Sequence, residues 1–252
     1  MRQTLTWRLG RVFLDMTAAS CFDYMEQLAG LLRDPICYGS GVPHGNGEPV
    51  LLIPGFFAGD WSMAPMARWL KRIGYRPYHS GINLNLGCPR EKAERLHWRV
   101  KAIADETGMA LTVIGHSLGG VLARSINASM PAMIEQVIAL ASPVHNEWDA
   151  INREVRPVMR IITGWWQHLA GASACGTMDC KCGFASTLHG RPGAAFTSIY
   201  TREDEVVDWR TCVGVGLGYE VSGRHFGLVV NREVYRIVAR VLARQERPER
   251  AA

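Results

Sequence analysis

Residues 115–120 read Gly-His-Ser-Leu-Gly-Gly and follow the apolar run Leu-Thr-Val-Ile at 111–114. This short run predicts a buried parallel strand. After the turn, apolar and small residues recur at helical spacing, which predicts a helix over 118–129. A Gly-x-Ser-x-Gly pattern between a strand and a helix is typical of a nucleophilic serine held in a strained backbone conformation.

The glycines of this turn have a steric reason. Gly115 and Gly119 remove side chains where the strand and the helix approach each other, and Gly120 permits tight packing. The pattern also arises by chance in about one chain in ten of this length, and any α/β protein favours glycine in its strand-to-helix loops. A catalytic role for Ser117 therefore requires a base, an acid and an oxyanion hole elsewhere in the chain.

The composition is that of a globular protein with a substantial core. The chain has 252 residues, of which 48% are hydrophobic and 20% are charged, and this length suits one domain over 1–252. The net charge is +5, but the basic residues are scattered, and those near the C-terminus are interpreted as a solvated helix face. We therefore expect no nucleic-acid partner, while weak attraction to an anionic membrane stays an alternative. The sequence does not indicate an oligomeric state.

The expected cellular location follows from two signals that the sequence does not show, a membrane span and a secretory signal. No segment is apolar over enough residues to span a bilayer, and Asp15 interrupts the apolar stretch that follows the N-terminal arginines. We expect a cytoplasmic protein, with peripheral contact to a membrane or lipid interface as the alternative. The cluster of Cys175, Cys180 and Cys182 lacks the paired spacing of zinc sites, so we expect free or locally paired thiols and neither metal nor cofactor. A disulfide there would argue against the cytoplasm.

Strand and helix patterns alternate along most of the chain. An amphipathic helix is predicted over 4–33, within a helical extension covering 1–40, and we expect it to pack on its own domain. Predicted strands lie at 50–53, 75–79, 111–115, 136–140, 196–200 and 219–221, and further helices at 61–73, 90–106, 118–129 and 231–244. This alternation implies an α/β fold, with a mostly parallel sheet and helices on both faces. The stretch 143–194 breaks it and is interpreted as a cap or lid insertion.

Candidates for the acid and the base follow two of these strands. Acidic residues cluster at 203–208, after the strand at 196–200, and His225 follows the strand at 219–221. Functional groups gather at the carboxyl ends of parallel strands, so we expect these loops to meet the Ser117 turn. A serine hydroxyl becomes a strong nucleophile when a neutral imidazole takes its proton, and a carboxylate fixes the tautomer of that imidazole.

From about residue 48 onward the chain resembles the α/β-hydrolases of the lipase and esterase group. The turn at 115–120 is similar to the nucleophile elbow of that family, and Gly-Arg-His-Phe-Gly-Leu at 223–228 is similar to its histidine loop. The order serine, acid, histidine along the chain is also that of the family. The resemblance implies that Ser117 is the nucleophile and His225 the base.

The same resemblance selects the acid. The stretch Thr-Arg-Glu-Asp-Glu-Val-Val at 201–207 is similar to the acid loop of the family, in which the acid lies three residues after a serine or threonine and just before two apolar residues. This implies Asp204, rather than Glu203, Glu205 or Asp208, as the acid of the triad.

The oxyanion hole is expected after the first predicted strand, where residues 53–59 read Ile-Pro-Gly-Phe-Phe-Ala-Gly. The resemblance implies that the backbone N–H groups of Phe56 and Leu118 are its donors. Many relatives have His-Gly where this chain has Pro54 and Gly55. Because backbone groups form the hole, the change is tolerable.

Two departures from the family pattern bear on architecture and substrate. A helix occupies 4–33, where strands normally precede the oxyanion strand, which implies a reduced sheet of about six strands. The 143–194 insertion carries Trp165 and Trp166, which either belong to the core or form an apolar lid. With Phe57, these tryptophans are the candidate substrate-binding residues.

The function implied is that of a serine hydrolase. It would cleave small-molecule or lipid carboxylic esters with an apolar acyl group, through an acyl-enzyme on Ser117. An acyltransferase or thioesterase needs the same triad and stays an alternative. A non-catalytic binding protein of the same fold is the third alternative, and loss of a triad residue would have marked it.

Overall fold

The sheet of the protein has six strands, all parallel, in the order β2-β1-β3-β4-β5-β6. The computed structural model describes residues 2–144, 150–170, 182–188 and 193–243. The strands are β1 Pro49–Ile53, β2 Arg76–His79, β3 Leu111–His116, β4 Ile134–Leu140, β5 Ala195–Tyr200 and β6 Leu217–Glu220. The predicted parallel sheet of about six strands is therefore confirmed.

Helices cover both faces of the sheet, as predicted. They are α1 Arg2–Arg33, α2 Ala64–Arg72, α3 Pro89–Thr107, α4 Leu118–Ser129, α5 Arg156–Ala170 and α6 Arg232–Leu242. Successive residues of a strand point to opposite faces, so β1 contributes side chains to two separate hydrophobic cores. Val50 and Leu52 pack with α1, α2 and α6, whereas Leu51 and Ile53 pack with α3 and α4.

The N-terminal helix packs on its own domain, as expected. Leu31 of α1 is buried, and Tyr24 and Leu28 pack against the core that contains α6. Helix α1 also lies against the 3₁₀ helix Gly227–Val230, which precedes α6. No helix in the described ranges has the length and hydropathy needed to cross a membrane.

The stretch 143–194 does leave the sheet. In its described residues it forms α5 and a short 3₁₀ helix at Phe184–Leu188, and it contributes no strand. Phe184 and Leu188 are buried against α4. Cys175 and Cys180 lie outside the described residues, so the structure does not bear on the pairing of this cysteine cluster.

Candidate active site

Ser117 lies on a strained turn between β3 and α4. Its backbone has φ 52° and ψ −122°, a left-handed conformation that costs a residue with a side chain roughly 1–3 kcal/mol. Close packing imposes the turn: a Cβ on Gly119 would lie 2.2 Å from Ile53 O, and one on Gly115 2.4 Å from the Gly119 backbone. The N–H of Ser117 donates to Leu140 O at 2.8 Å. The turn therefore holds the serine at the carboxyl end of the sheet.

Asp204 and His225 form a buried pair at the same end of the sheet. His225 Nδ1 lies 2.8 Å from Asp204 Oδ2, and their side chains are 2% and 1% exposed. The other oxygen of Asp204 accepts the N–H groups of Val206 and Val207 at 2.9 and 2.7 Å. A carboxylate accepts, so Nδ1 donates. This tautomer leaves Nε2 of His225 as the basic nitrogen.

Charge around the imidazole makes His225 a stronger base. Burial by itself would lower the pKa of His225, but the negative charges of Asp204 and Glu205 and the hydrogen bond to Asp204 outweigh it, so the pKa is raised. A raised pKa means a greater affinity for the serine proton. It also means that the neutral form of the imidazole is lost at a higher pH than for an ordinary histidine.

His116 joins the histidine loop to the serine turn. Its Nε2 lies 3.0 Å from His225 O, and the two rings are 4.9 Å apart between centroids. Burial and the neighbouring His225 lower the pKa of His116 to about 3, so it stays neutral and donates through Nε2. Among the described residues no hydrogen bond joins Ser117 Oγ to His225. Of the two hydrogen bonds expected of His225, to Asp204 and to Ser117, the first is therefore formed and the second is not. In enzymes the bond between a nucleophile and its base often tightens only when substrate binds.

Of the two predicted oxyanion donors, Leu118 follows Ser117 in the turn and Phe56 lies in a loop that approaches it. A Cβ on Gly55 would lie 3.2 Å from Ser117 Cβ, so the 53–59 loop reaches the serine. Within the described part of the chain, the N–H groups of Phe56 and Leu118 donate to no protein acceptor. Two backbone donors without a protein acceptor, one in the serine turn and one in the loop that approaches it, suit a developing negative charge.

Asn85 is a site residue that the sequence analysis missed. It is 1% exposed, and its side chain donates to Pro54 O at 2.8 Å. Its backbone accepts the N–H of Phe57 at 3.1 Å and donates to Ala58 O at 2.7 Å. Through these hydrogen bonds the loop after β2 holds the 53–59 loop in place. A lone asparagine in a loop carries no sequence pattern that would have indicated this role.

Replacing Asn85 with alanine is expected to lower kcat about tenfold with little change in KM. The change removes the Pro54 contact, so the Phe56 N–H is less well placed for the transition state than for substrate. Ester kinetics and a thermal melt measure the effect. Asn83→Ala, an exposed change in the same loop, is the matched control, and equal kinetics in the two variants would contradict the role of Asn85.

The other acids of the loop have different partners. Glu203 is exposed, and Asp208 accepts from Arg210 N at 3.1 Å. Glu205 contacts the backbone of His225, not its ring. Of these four acids, only Asp204 bonds to the imidazole.

The candidate substrate-binding residues differ in exposure. Phe57, in the 53–59 loop, has φ 58° and is 53% exposed. On α5, Trp165 is 70% exposed, whereas Trp166 is half-buried, and its Nε1 would lie 3.6 Å from a Cβ on Gly87. The two tryptophans therefore face different surroundings.

Comparison with known proteins agrees with this architecture. A family model described as a PGAP1-like alpha/beta domain matches residues 101–213, which is less than half of the chain. No match is found among curated proteins.

Several solved structures are similar over most of the chain. Tomato methylketone synthase I, complexed with 2-tridecanone, has a TM-score of 0.57 at 10% identity, covering 80% of this chain and 100% of that one. A lipase-esterase related protein from Clostridium acetobutylicum has a TM-score of 0.56 at 12% identity, covering 81% and 97%. A monoacylglycerol lipase from Paleococcus ferrophilus has a TM-score of 0.55 at 13% identity, also covering 81% and 97%. The parallel sheet, the serine turn after its third strand and these likenesses show that the chain has the α/β-hydrolase fold.

Proposed function

We propose that the protein is a serine hydrolase that cleaves carboxylic esters with an apolar acyl group. The observation that carries the proposal is the strained Ser117 turn beside the buried pair of Asp204 and His225. A strained backbone and a buried carboxylate hydrogen-bonded to a histidine both cost free energy to maintain. Their occurrence at one end of the sheet is expected of a catalytic site.

The proposed reaction proceeds through an acyl-enzyme. His225 Nε2 takes the proton of Ser117 Oγ as the oxygen attacks the ester carbonyl, and the N–H groups of Phe56 and Leu118 stabilise the oxyanion. His225 then gives the proton to the leaving alcohol. A water molecule, activated by the same imidazole, releases the acid and restores the serine.

The path of α5 supports the proposal that this segment covers the site. Before α5, Ile151 pairs with Val207 and the Asn152 side chain donates to Asp204 O at 3.1 Å, beside the loop that follows β5. Near its other end, Trp166 approaches Gly87, in the loop after β2. The ends of β1, β3 and β4 lie between these two loops.

The length of α5 agrees with a path across the sheet from the loop after β5 to the loop after β2. The distance from β2 to β5 is four strand spacings, about 19 Å. Residues 156–166 of α5 rise about 15 Å, and the chain that leads into the helix adds the remainder. We therefore propose that α5 is a lid over Ser117 and that Trp166 lines the acyl pocket.

The ligand seen in one neighbour supports an apolar acyl group. Tomato methylketone synthase I is complexed with 2-tridecanone, a carbonyl compound with a long alkyl chain. The same fold thus accommodates a chain of this kind. The proposal for this protein is a small-molecule or lipid ester of similar character.

Active-site labelling tests the function directly. The protein is treated with a fluorophosphonate, digested and analysed by mass spectrometry, and esters from acetate to long acyl chains are then assayed. We expect the label on Ser117 and release of free acid. Adding alcohol or thiol acceptors separates the alternatives, since a transferase would form the new ester or thioester in place of acid. Absence of both labelling and turnover would contradict the proposal.

The tryptophans are expected to affect long acyl chains selectively. In the wild type each buried methylene contributes about 0.8 kcal/mol, so kcat/KM rises by up to about fourfold per methylene. Trp166→Ala should reduce the increase of kcat/KM with chain length and leave the kcat/KM of acetate esters nearly unchanged. Trp165→Ala should reduce this increase less, and the double variant should reduce it most.

Trp98 provides the control for the lid experiment. It is 74% exposed on α3, and Trp98→Ala should leave the chain-length profile unchanged. Equal losses for short and long esters in the Trp165 and Trp166 variants would show that these side chains are structural.

A further inference from the structure

A pair of hydrogen bonds links helix α1 to the backbone of His225. Oε2 of Glu205 accepts the His225 N–H at 3.1 Å, and Oε1 accepts the Ser20 hydroxyl at 2.6 Å. Ser20 is 5% exposed, so water competes little for these bonds. One carboxylate therefore contacts both the N-terminal helix and the residue proposed as the base.

Further contacts dock the same face of α1 on the histidine loop. Asp23 Oδ2 lies 3.2 Å from Arg224 N, and Gln27 accepts from the Asn231 side chain at 2.9 Å. A Cβ on Gly227 would lie 2.1 Å from Asp23 Oδ2, so the approach of the loop requires a glycine. A displacement of α1 would therefore move the loop that carries the imidazole.

We propose that Glu205 is a positioning residue for His225 and that Ser20, by orienting the Glu205 carboxylate, couples the N-terminal helix to the hydrolase site. The proposal rests on the function proposed above. Glu205 contacts the backbone of His225 and not its ring. It acts by holding the backbone of His225 and by placing a negative charge beside the imidazole.

The other titratable groups around His225 make different contacts with it, so Glu205 has a role of its own. Asp204 bonds to Nδ1, and His116, from the serine turn, is neutral. From α1, Asp23 accepts the N–H of Arg224, the residue before His225. In the described part of the chain Glu205 forms no ion pair.

The test compares two variants that each remove one negative charge from the acid loop. Glu205→Gln keeps the shape of the side chain beside His225, and Glu203→Gln makes the same change at an exposed position. The pH profile of kcat/KM is measured for both. The His225 imidazole is titrated by NMR after ¹⁵N-histidine labelling, with its signals assigned by comparison with His225→Gln.

We expect Glu205→Gln to lower the pKa of His225, because a charge that stabilises the imidazolium is lost. The acid limb of kcat/KM then moves to lower pH, while Glu203→Gln matches the wild type. Equal titration of His225 in all three proteins overturns the proposal. The NMR titration needs no turnover. It therefore tests the effect of Glu205 on His225 even if Ser117 proves unreactive and the proposed function fails.

A second variant isolates the link to α1. Ser20→Ala removes one hydrogen bond and leaves the charge of Glu205 in place. We expect kcat to fall about two- to tenfold, the range for one hydrogen bond, with KM and the acid limb unchanged. Wild-type kcat in a folded Ser20→Ala protein, judged by its thermal melt, would overturn the coupling to the helix.

Discussion

Replacing Ser117 with alanine is expected to abolish ester hydrolysis while the protein remains folded. The nucleophilic oxygen is lost, and the imidazole then has no proton to take. Loss of a triad serine lowers kcat on the order of 10⁵–10⁶-fold. Alanine at φ 52° carries the same backbone strain as serine, so the melting temperature should be unchanged. Steady-state kinetics and a thermal melt of the same preparation measure both effects.

The control for this prediction lies on the same helix. Ser129 is exposed at the far end of α4, and its hydroxyl bonds to backbone carbonyls of that helix. Ser129→Ala should therefore keep wild-type kinetics and full fluorophosphonate labelling. Substantial turnover in Ser117→Ala, or a label on another serine, would show that the nucleophile lies elsewhere.

The second large effect is expected from Asp204→Asn. The asparagine oxygen can still accept the N–H groups of Val206 and Val207, which turns its NH₂ group toward His225. Nδ1 of the imidazole must then accept, and the proton moves to Nε2, where it blocks removal of the serine proton. A tautomer error of this kind costs on the order of 10⁴-fold in kcat, whereas the fold should survive because the shape is kept.

The pH dependence checks the same pair of residues. The charge of Asp204 helps to raise the pKa of His225 above the ordinary value of 6.5, and only the neutral imidazole is active. Wild-type kcat/KM should therefore fall as the pH drops through this raised pKa. Glu203→Gln is the charge control. A loss of about 10⁴-fold in Glu205→Gln, with a mild effect in Asp204→Asn, would transfer the acid role to Glu205.

The local pattern of residues was sufficient for most of the fold. The apolar runs at 111–114 and 50–53 predicted strands because short runs with β-branched residues suit strands that are buried on both faces. The predicted helix over 118–129 matches α4 at both ends. Repeated strand and helix units then implied the parallel sheet, which is confirmed. The positions of Ser117, Asp204 and His225 after separate strands are likewise properties of short stretches, although their catalytic roles stay predictions.

Tertiary structure decided which side chains support these residues. Ser20 and Glu205 are 185 residues apart in the chain, and Asn85 is 31 residues from Pro54, so no local period or motif relates them. The helical pattern of 4–33 indicated an amphipathic helix but not which loop its polar residues would meet. Likewise, Trp165 and Trp166 are adjacent and identical in the sequence, yet one is exposed and the other half-buried. Such differences depend on how helices and loops pack across the end of the sheet, because a contact between distant segments exists only once the whole chain has folded.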